Sequence, residues 1–119
     1  MQHDDRVYIQ HMLETARRAV SKVGGLDRTA FDGDENLRLA LTHLVQVIGE
    51  AARKVSATTR GRLPTIPWTA VIGMRHVIVH DYLGVDEDIV WQVVSRDLVS
   101  LIAALEEIER MGSSVAPPS

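Results

Sequence analysis

Residues 68–82 read Trp68-Thr69-Ala70-Val71-Ile72-Gly73-Met74-Arg75-His76-Val77-Ile78-Val79-His80-Asp81-Tyr82, and whether they form a helix or a strand decides the fold class. Taken alone, the run Val77-Ile78-Val79 suits a strand, because β-branched side chains pack well on a pleated surface. No neighbouring segment offers a second strand, however, and an isolated strand is not stable. Pro67 just ahead fits the first turn of a helix, where its missing N–H costs nothing. The stretch is therefore read as a helix from Trp68 to about His80. It carries apolar residues on more than one side (Val71, Ile72, Val77, Ile78, Val79), which suits a segment sandwiched between others.

Upstream, Thr58 to Pro67 holds glycine and proline breaks and the basic pair Arg60 and Arg62, so it reads as a loop. Before it, Leu37, Leu41, Leu44, Ile48, Ala51 or Ala52, and Val55 define a helix from about Glu35 to Ser56, with Asp34 placed to cap it. Leu26 to Asp34 reads as a connection pinned to the core by Phe31. From Asp4 to Val23, the residues Ile9, Leu13, Ala16, Val20 and Val23 alternate spacings of four and three along one helical stripe. Gly24-Gly25 ends that helix, since glycine accepts the left-handed conformation without a side-chain clash. Downstream, Leu83-Gly84 breaks the pattern and Asp86 caps a fourth helix built on Ile89 or Val90, Val94, Leu98, Leu101, Leu105 and Ile108. Gly112 is expected to stop it. The fold expected is all-α, an up-and-down bundle of four main helices with short extra turns. It would occupy residues 1–112, with 113–119 a disordered C-terminal tail.

A chain of 119 residues fits one domain. It has no cysteine, which excludes disulfides, thiolate catalysis and Cys-ligated zinc. No apolar run approaches the roughly 18 residues of a membrane span, and the opening Met1-Gln2-His3-Asp4-Asp5 is polar and acidic, so a cytoplasmic protein without membrane contact is expected. The formal charge of −3 argues against a large cationic surface for nucleic acid, whose affinity rests on counterion release. Aromatic residues are only 4%, too few for a base-stacking platform. Any RNA contact is thus local or shared between protomers.

The dense cluster of functional groups lies between Gly73 and Tyr82. His80 by itself is more often a structural residue at a helix end than a catalyst, and Arg75 alone is usually a bundle ion pair, here with Glu50 as the candidate partner. His76 and His80, four apart on one face, have a spacing that can bind zinc, but no third ligand is evident and no metal is expected. Around a regular helix Arg75 and His80 stand about 140° apart, too far to aim at one small atom. Either the helix ends near His80 or a second protomer supplies the missing group, as a two-fold interface would. Trp68 and Trp91 read as packing residues, and Arg17-Arg18 with Arg60 and Arg62 as solvated cations that could graze an RNA backbone or the surface of a partner protein.

Arg75, four residues, His80, one residue and Tyr82 match the Arg-x4-His-x-Tyr signature of HEPN-domain proteins. Ile48-Gly49-Glu50-Ala51-Ala52, Pro64-Thr65-Ile66-Pro67-Trp68, Gly73-Met74-Arg75, His80-Asp81-Tyr82, Val85-Asp86 and Val90-Trp91 follow in the order and spacing of HepT-like proteins. The chain thus resembles HepT-like toxins of HEPN/MNT toxin-antitoxin pairs over nearly its whole folded length. The resemblance implies a HEPN-like bundle and a metal-independent endoribonuclease without cofactor, acting on an RNA substrate as a homodimer with facing motifs. It also implies a type VII-like toxin, neutralised when a cognate MNT-type nucleotidyltransferase antitoxin adenylylates Tyr82. In that reading His80 is the acid or base, since histidine titrates near neutrality. Arg75 stabilises phosphate charge with its planar donor fork, and His76 and Glu50 support it. His76 departs from the asparagine usual in the family. The other reading is a non-catalytic HEPN binding subunit or acceptor partner of a nucleotidyltransferase.

Overall fold

The stripe of the first segment folds as α1 (His3–Val23), burying Ile9, Met12, Leu13, Ala16, Ala19 and Val23. Gly25, with φ of 80°, supplies the left-handed turn after it. The computed structural model describes residues 1–77 and 86–115, all of it helix, turn or connection. After α1 come α2 (Arg28–Asp32), α3 (Glu35–Lys54), α4 (Ala57–Arg62), α5 (Trp68–Val77), α6 (Glu87–Gln92), a π-helical turn (Val93–Asp97) and α7 (Leu98–Val115). Four main helical segments, α1, α3, α5 and the run from α6 through α7, make the bundle. α3 packs on α1 along one side and on α5 along another, and α1 also meets α7. The fold is all-helical, as the hydrophobic periods require. Among the described residues no helix is long and apolar enough to cross a membrane.

Several boundaries differ from the sequence reading. The connection Leu26 to Asp34 contains α2, started by the Asp27 side chain accepting from the Ala30 N–H. Its Phe31 is fully buried and meets the Trp91 ring at a centroid distance of 5.1 Å. The supposed loop from Thr58 contains α4, capped by Ser56. Trp68 packs at the start of α5 and donates its indole N–H to the Leu63 carbonyl at 2.9 Å.

The fourth helix is not uniform. Val90, Val94 and Leu98 are all buried, but two successive spacings of four overshoot a 3.6-residue period by about 40° each. The π turn absorbs that drift, and the wider turn also lets both Val93 and Val94 face the core. Ile89, the alternative core residue to Val90, is exposed. Gly112 does not stop α7, which continues to Val115. Glycine ends a helix only where the chain turns left-handed, and Gly112 has no positive φ. The expected end of the third helix near His80 lies outside the described residues.

A buried carboxylate ties the start of α1 to the end of α3. Asp5 accepts from the Ser56 N–H at 2.9 Å, the Ser56 hydroxyl at 2.7 Å and the Thr59 hydroxyl at 2.6 Å. These contacts place the head of α1 beside the α3–α4 corner, which makes α1 and α3 antiparallel. The Thr59 hydroxyl foremost, then the Ser56 N–H and hydroxyl, holds the Asp5 carboxyl below the usual carboxylate range, against the opposing pull of burial. Asp5→Ala should therefore cost about 2–3 kcal/mol, the scale of buried hydrogen bonds to a charged group. Because the folded form favours the ionised carboxyl, this contribution is full above the unfolded pKa and fades as pH falls through the lower folded value. Denaturant melts should show the gap between wild type and Asp5→Ala at pH 7 shrinking below about pH 4.

Candidate active site

Of the expected site residues, Glu50, Arg75 and His76 come together where α3 crosses α5. Gly49 makes the crossing possible. A methyl group built there would lie 2.6 Å from the Arg75 backbone nitrogen, 3.1 Å from the Val71 carbonyl oxygen and 3.2 Å from the Arg75 Cβ. Only a hydrogen fits, so the two backbones approach closely. Val71 and Met74 fill the buried side of α5 beneath this contact. The register puts Glu50, one residue after Gly49, beside the side chain of Arg75.

Arg75 donates from Nη1 to Glu50 Oε2 at 3.1 Å and from Nε to His76 Nε2 at 3.1 Å. The second bond requires a lone pair on His76 Nε2, so the neutral ring carries its proton on Nδ1. A guanidinium held at two of its corners has few rotamers left. Its remaining donors are oriented in advance, the arrangement by which fixed donors can stabilise an anion. The Arg75 side chain is 32% exposed, so a ligand can reach it from solvent. The pair with Glu50 that the sequence allowed for Arg75 is present, and it does not bury the arginine.

Glu50 has a second cation. Arg53, one turn along α3, donates from Nη2 to Glu50 Oε1 at 2.6 Å and from Nε to Oε2 at 3.4 Å. The hydrogen bonds from Arg53, then the one from Arg75, hold the Glu50 carboxyl below its usual range despite some desolvation. Sequence reasoning passed over Arg53, although the spacing Glu50-x-x-Arg53 is the i,i+3 arrangement that lets side chains meet on a helix.

His80 and Tyr82, the other two residues of the signature, lie outside the described residues, as does Asp81. Among the described residues no three His, Asp or Glu side chains gather as a metal site would need. Arg60 and Arg17, two of the other basic groups, have structural partners. Arg60 donates to the Val55 carbonyl at 3.1 Å and so finishes α3. Arg17 pairs with Glu106 at 2.7 Å and lines a shallow groove with Arg18, Ser21 and Lys22 near the end of α1. Lys22, in the last turn, complements the negative end of the helix.

The family described as "Ribonuclease HepT-like" matches residues 12–108, which include this whole arrangement. The chain belongs to the HepT-like ribonuclease family. The protein named "Putative RNase MJ1380" of Methanocaldococcus jannaschii is 26% identical over 103 residues, covering 87% of this chain and 94% of its own. "Putative RNase TTE0752" of Caldanaerobacter subterraneus subsp. tengcongensis is 28% identical over 103 residues, covering 87% and 92%. "Probable ribonuclease HepT" of Thermococcus cleftensis is 30% identical over 77 residues, covering 65% and 70%. No solved structure matches the chain. In this HepT-like chain the α3–α5 crossing and its held guanidinium lie within the matched residues.

Proposed function

We propose that the chain is a metal-independent endoribonuclease and the toxin of a type VII-like HEPN/MNT pair, with Arg75 and His80 as its catalytic residues. The observation that carries the reading is the Arg75 guanidinium, fixed by Glu50 and His76 yet open to solvent, within a chain of the HepT-like family. RNA cleavage requires a proton to leave the ribose 2′-hydroxyl, the 2′-oxygen to bond phosphorus, and the 5′-oxygen to depart with a proton. The products are a 2′,3′-cyclic phosphate and a 5′-hydroxyl. His80 moves the proton as acid or base. Arg75 stabilises the negative charge on the non-bridging oxygens as the phosphorus becomes five-coordinate. His76 and Glu50 do not touch the reacting atoms and keep the guanidinium aimed.

The active form is a homodimer whose two motifs share one cleft, which doubles the local positive charge of an acidic chain. Neutralisation follows from adenylylation of Tyr82 by a nucleotidyltransferase antitoxin. The added nucleotide brings phosphate into competition for the donors of Arg75.

Purified, unmodified protein is expected to cleave total RNA in excess chelator, and His80→Ala to cleave at least about 100-fold more slowly, the scale of a lost general acid or base. Product ends should be cyclic phosphate and 5′-hydroxyl. No cleavage by wild type carrying an unmodified Tyr82 would overturn this reading in favour of a non-catalytic binding subunit.

A further inference from the structure

Glu50 creates an electrostatic difficulty for the site it supports. A carboxylate 3.1 Å from Nη1 of Arg75 would cancel most of the field that the guanidinium offers an incoming phosphate. Arg53 lies on the far side of the same carboxylate and makes the shorter contact, 2.6 Å to Oε1, with Nε also reaching Oε2 at 3.4 Å. Glu50 is thus gripped at both oxygens by Arg53 and at one by Arg75. The next cation along α3, Lys54, is turned away, its amine 5.9 Å from the ring centre of Tyr8 on α1. The three groups Arg53, Glu50 and Arg75 together carry a net charge of +1, whereas Glu50 and Arg75 alone would be neutral.

We propose that Arg53 is a positioning residue that neutralises Glu50, so that Glu50 orients Arg75 without consuming the positive charge Arg75 presents to an RNA phosphate. The inference rests on the ribonuclease reading for its ligand and goes beyond it in assigning a residue outside the signature motif. It differs from a direct phosphate contact by Arg53, because it requires Arg53 to act through Glu50. With Arg53→Gln, Glu50 keeps its charge and turns its full hydrogen-bonding capacity on Arg75. With Glu50→Gln added, the amide oxygen still accepts from Arg75 but no charge remains to cancel.

The test is binding of a short RNA oligonucleotide carrying 2′-O-methyl groups throughout, so that it cannot be cleaved, to the full chain by fluorescence anisotropy, with cleavage of the unsubstituted RNA measured beside it. Arg53→Gln is expected to weaken binding about tenfold, within the range that coupling inside one ion-pair network spans. Arg53→Lys should keep most of the affinity, and the double variant Arg53→Gln/Glu50→Gln should recover most of the loss. Melting temperatures should stay close together, because the Arg53–Glu50 pair is largely exposed. If the double variant binds as weakly as Arg53→Gln, Arg53 contacts phosphate directly and the proposal is overturned. Equal binding by Arg53→Gln and wild type overturns it as well, and so does absence of binding by wild type. Binding with the expected order of variants but without cleavage by wild type would remove the ribonuclease reading and leave the role of Arg53 standing.

Discussion

Arg75→Ala is expected to slow RNA cleavage by about 10²–10³-fold, the cost of removing one preorganised donor from a developing oxyanion. The folded state should hardly notice. The Arg75 contacts to Glu50 and His76 lie at a partly solvated surface, where ion pairs contribute little and salt screens them. A circular-dichroism melt close to that of wild type beside a collapsed rate is therefore the expected pair of results. Arg75→Lys separates charge from shape. Lysine keeps a positive charge but has no planar fork, so it cannot hold Glu50 and His76 through separate nitrogens of one rigid group. Its rate should fall between those of wild type and Arg75→Ala. A large drop in melting temperature for Arg75→Ala would instead mark Arg75 as a structural ion pair.

The sequence made this fold legible wherever a helix was long enough to repeat its pattern. Ile9, Leu13 and Ala16 on α1, and Leu41, Leu44 and Ile48 on α3, are buried as their spacing requires. α2 and α4 span five and six residues, too short for a 3.6-residue period to show. Their signals were local, in the caps Asp27 and Ser56. The π turn was hidden because Val90, Val94 and Leu98 look regular until the drift of two four-residue steps is counted. At the site, Arg75 and its pairing with Glu50 could be anticipated, because after Glu35 the sequence of α3 holds no acidic residue but Glu50. Arg53 could not be ranked, since an exposed arginine on a helix usually faces solvent. What gives it a role is the distance between α3 and α5, and that distance depends on tertiary contact rather than on any local pattern.

Gly49→Ala tests that distance directly. In a helix interior alanine is ordinarily favoured over glycine by up to about 1 kcal/mol, through backbone entropy. Here the new methyl would meet the Arg75 backbone nitrogen at 2.6 Å and the Val71 carbonyl at 3.1 Å, neither of which can rotate aside like a side chain. Overpacking of this kind costs about 1–3 kcal/mol, and contact with two backbone atoms puts this site at the upper end. The net loss should be near 2 kcal/mol, or a fall in melting temperature of roughly 6–10 °C for a domain of this size. Gly61→Ala is the control: its methyl meets nothing within 4 Å, and it should be neutral or stabilising. Activity should suffer more than stability. Pushing α5 off α3 moves the Arg75 backbone while Glu50 stays on α3, and a misplacement of about 1 Å at a catalytic group can cost about 100-fold. Cleavage measured well below the melting temperature should therefore be strongly impaired in Gly49→Ala although the chain is folded. Full activity in that folded variant would show that the close crossing of α3 and α5 is not what aims Arg75.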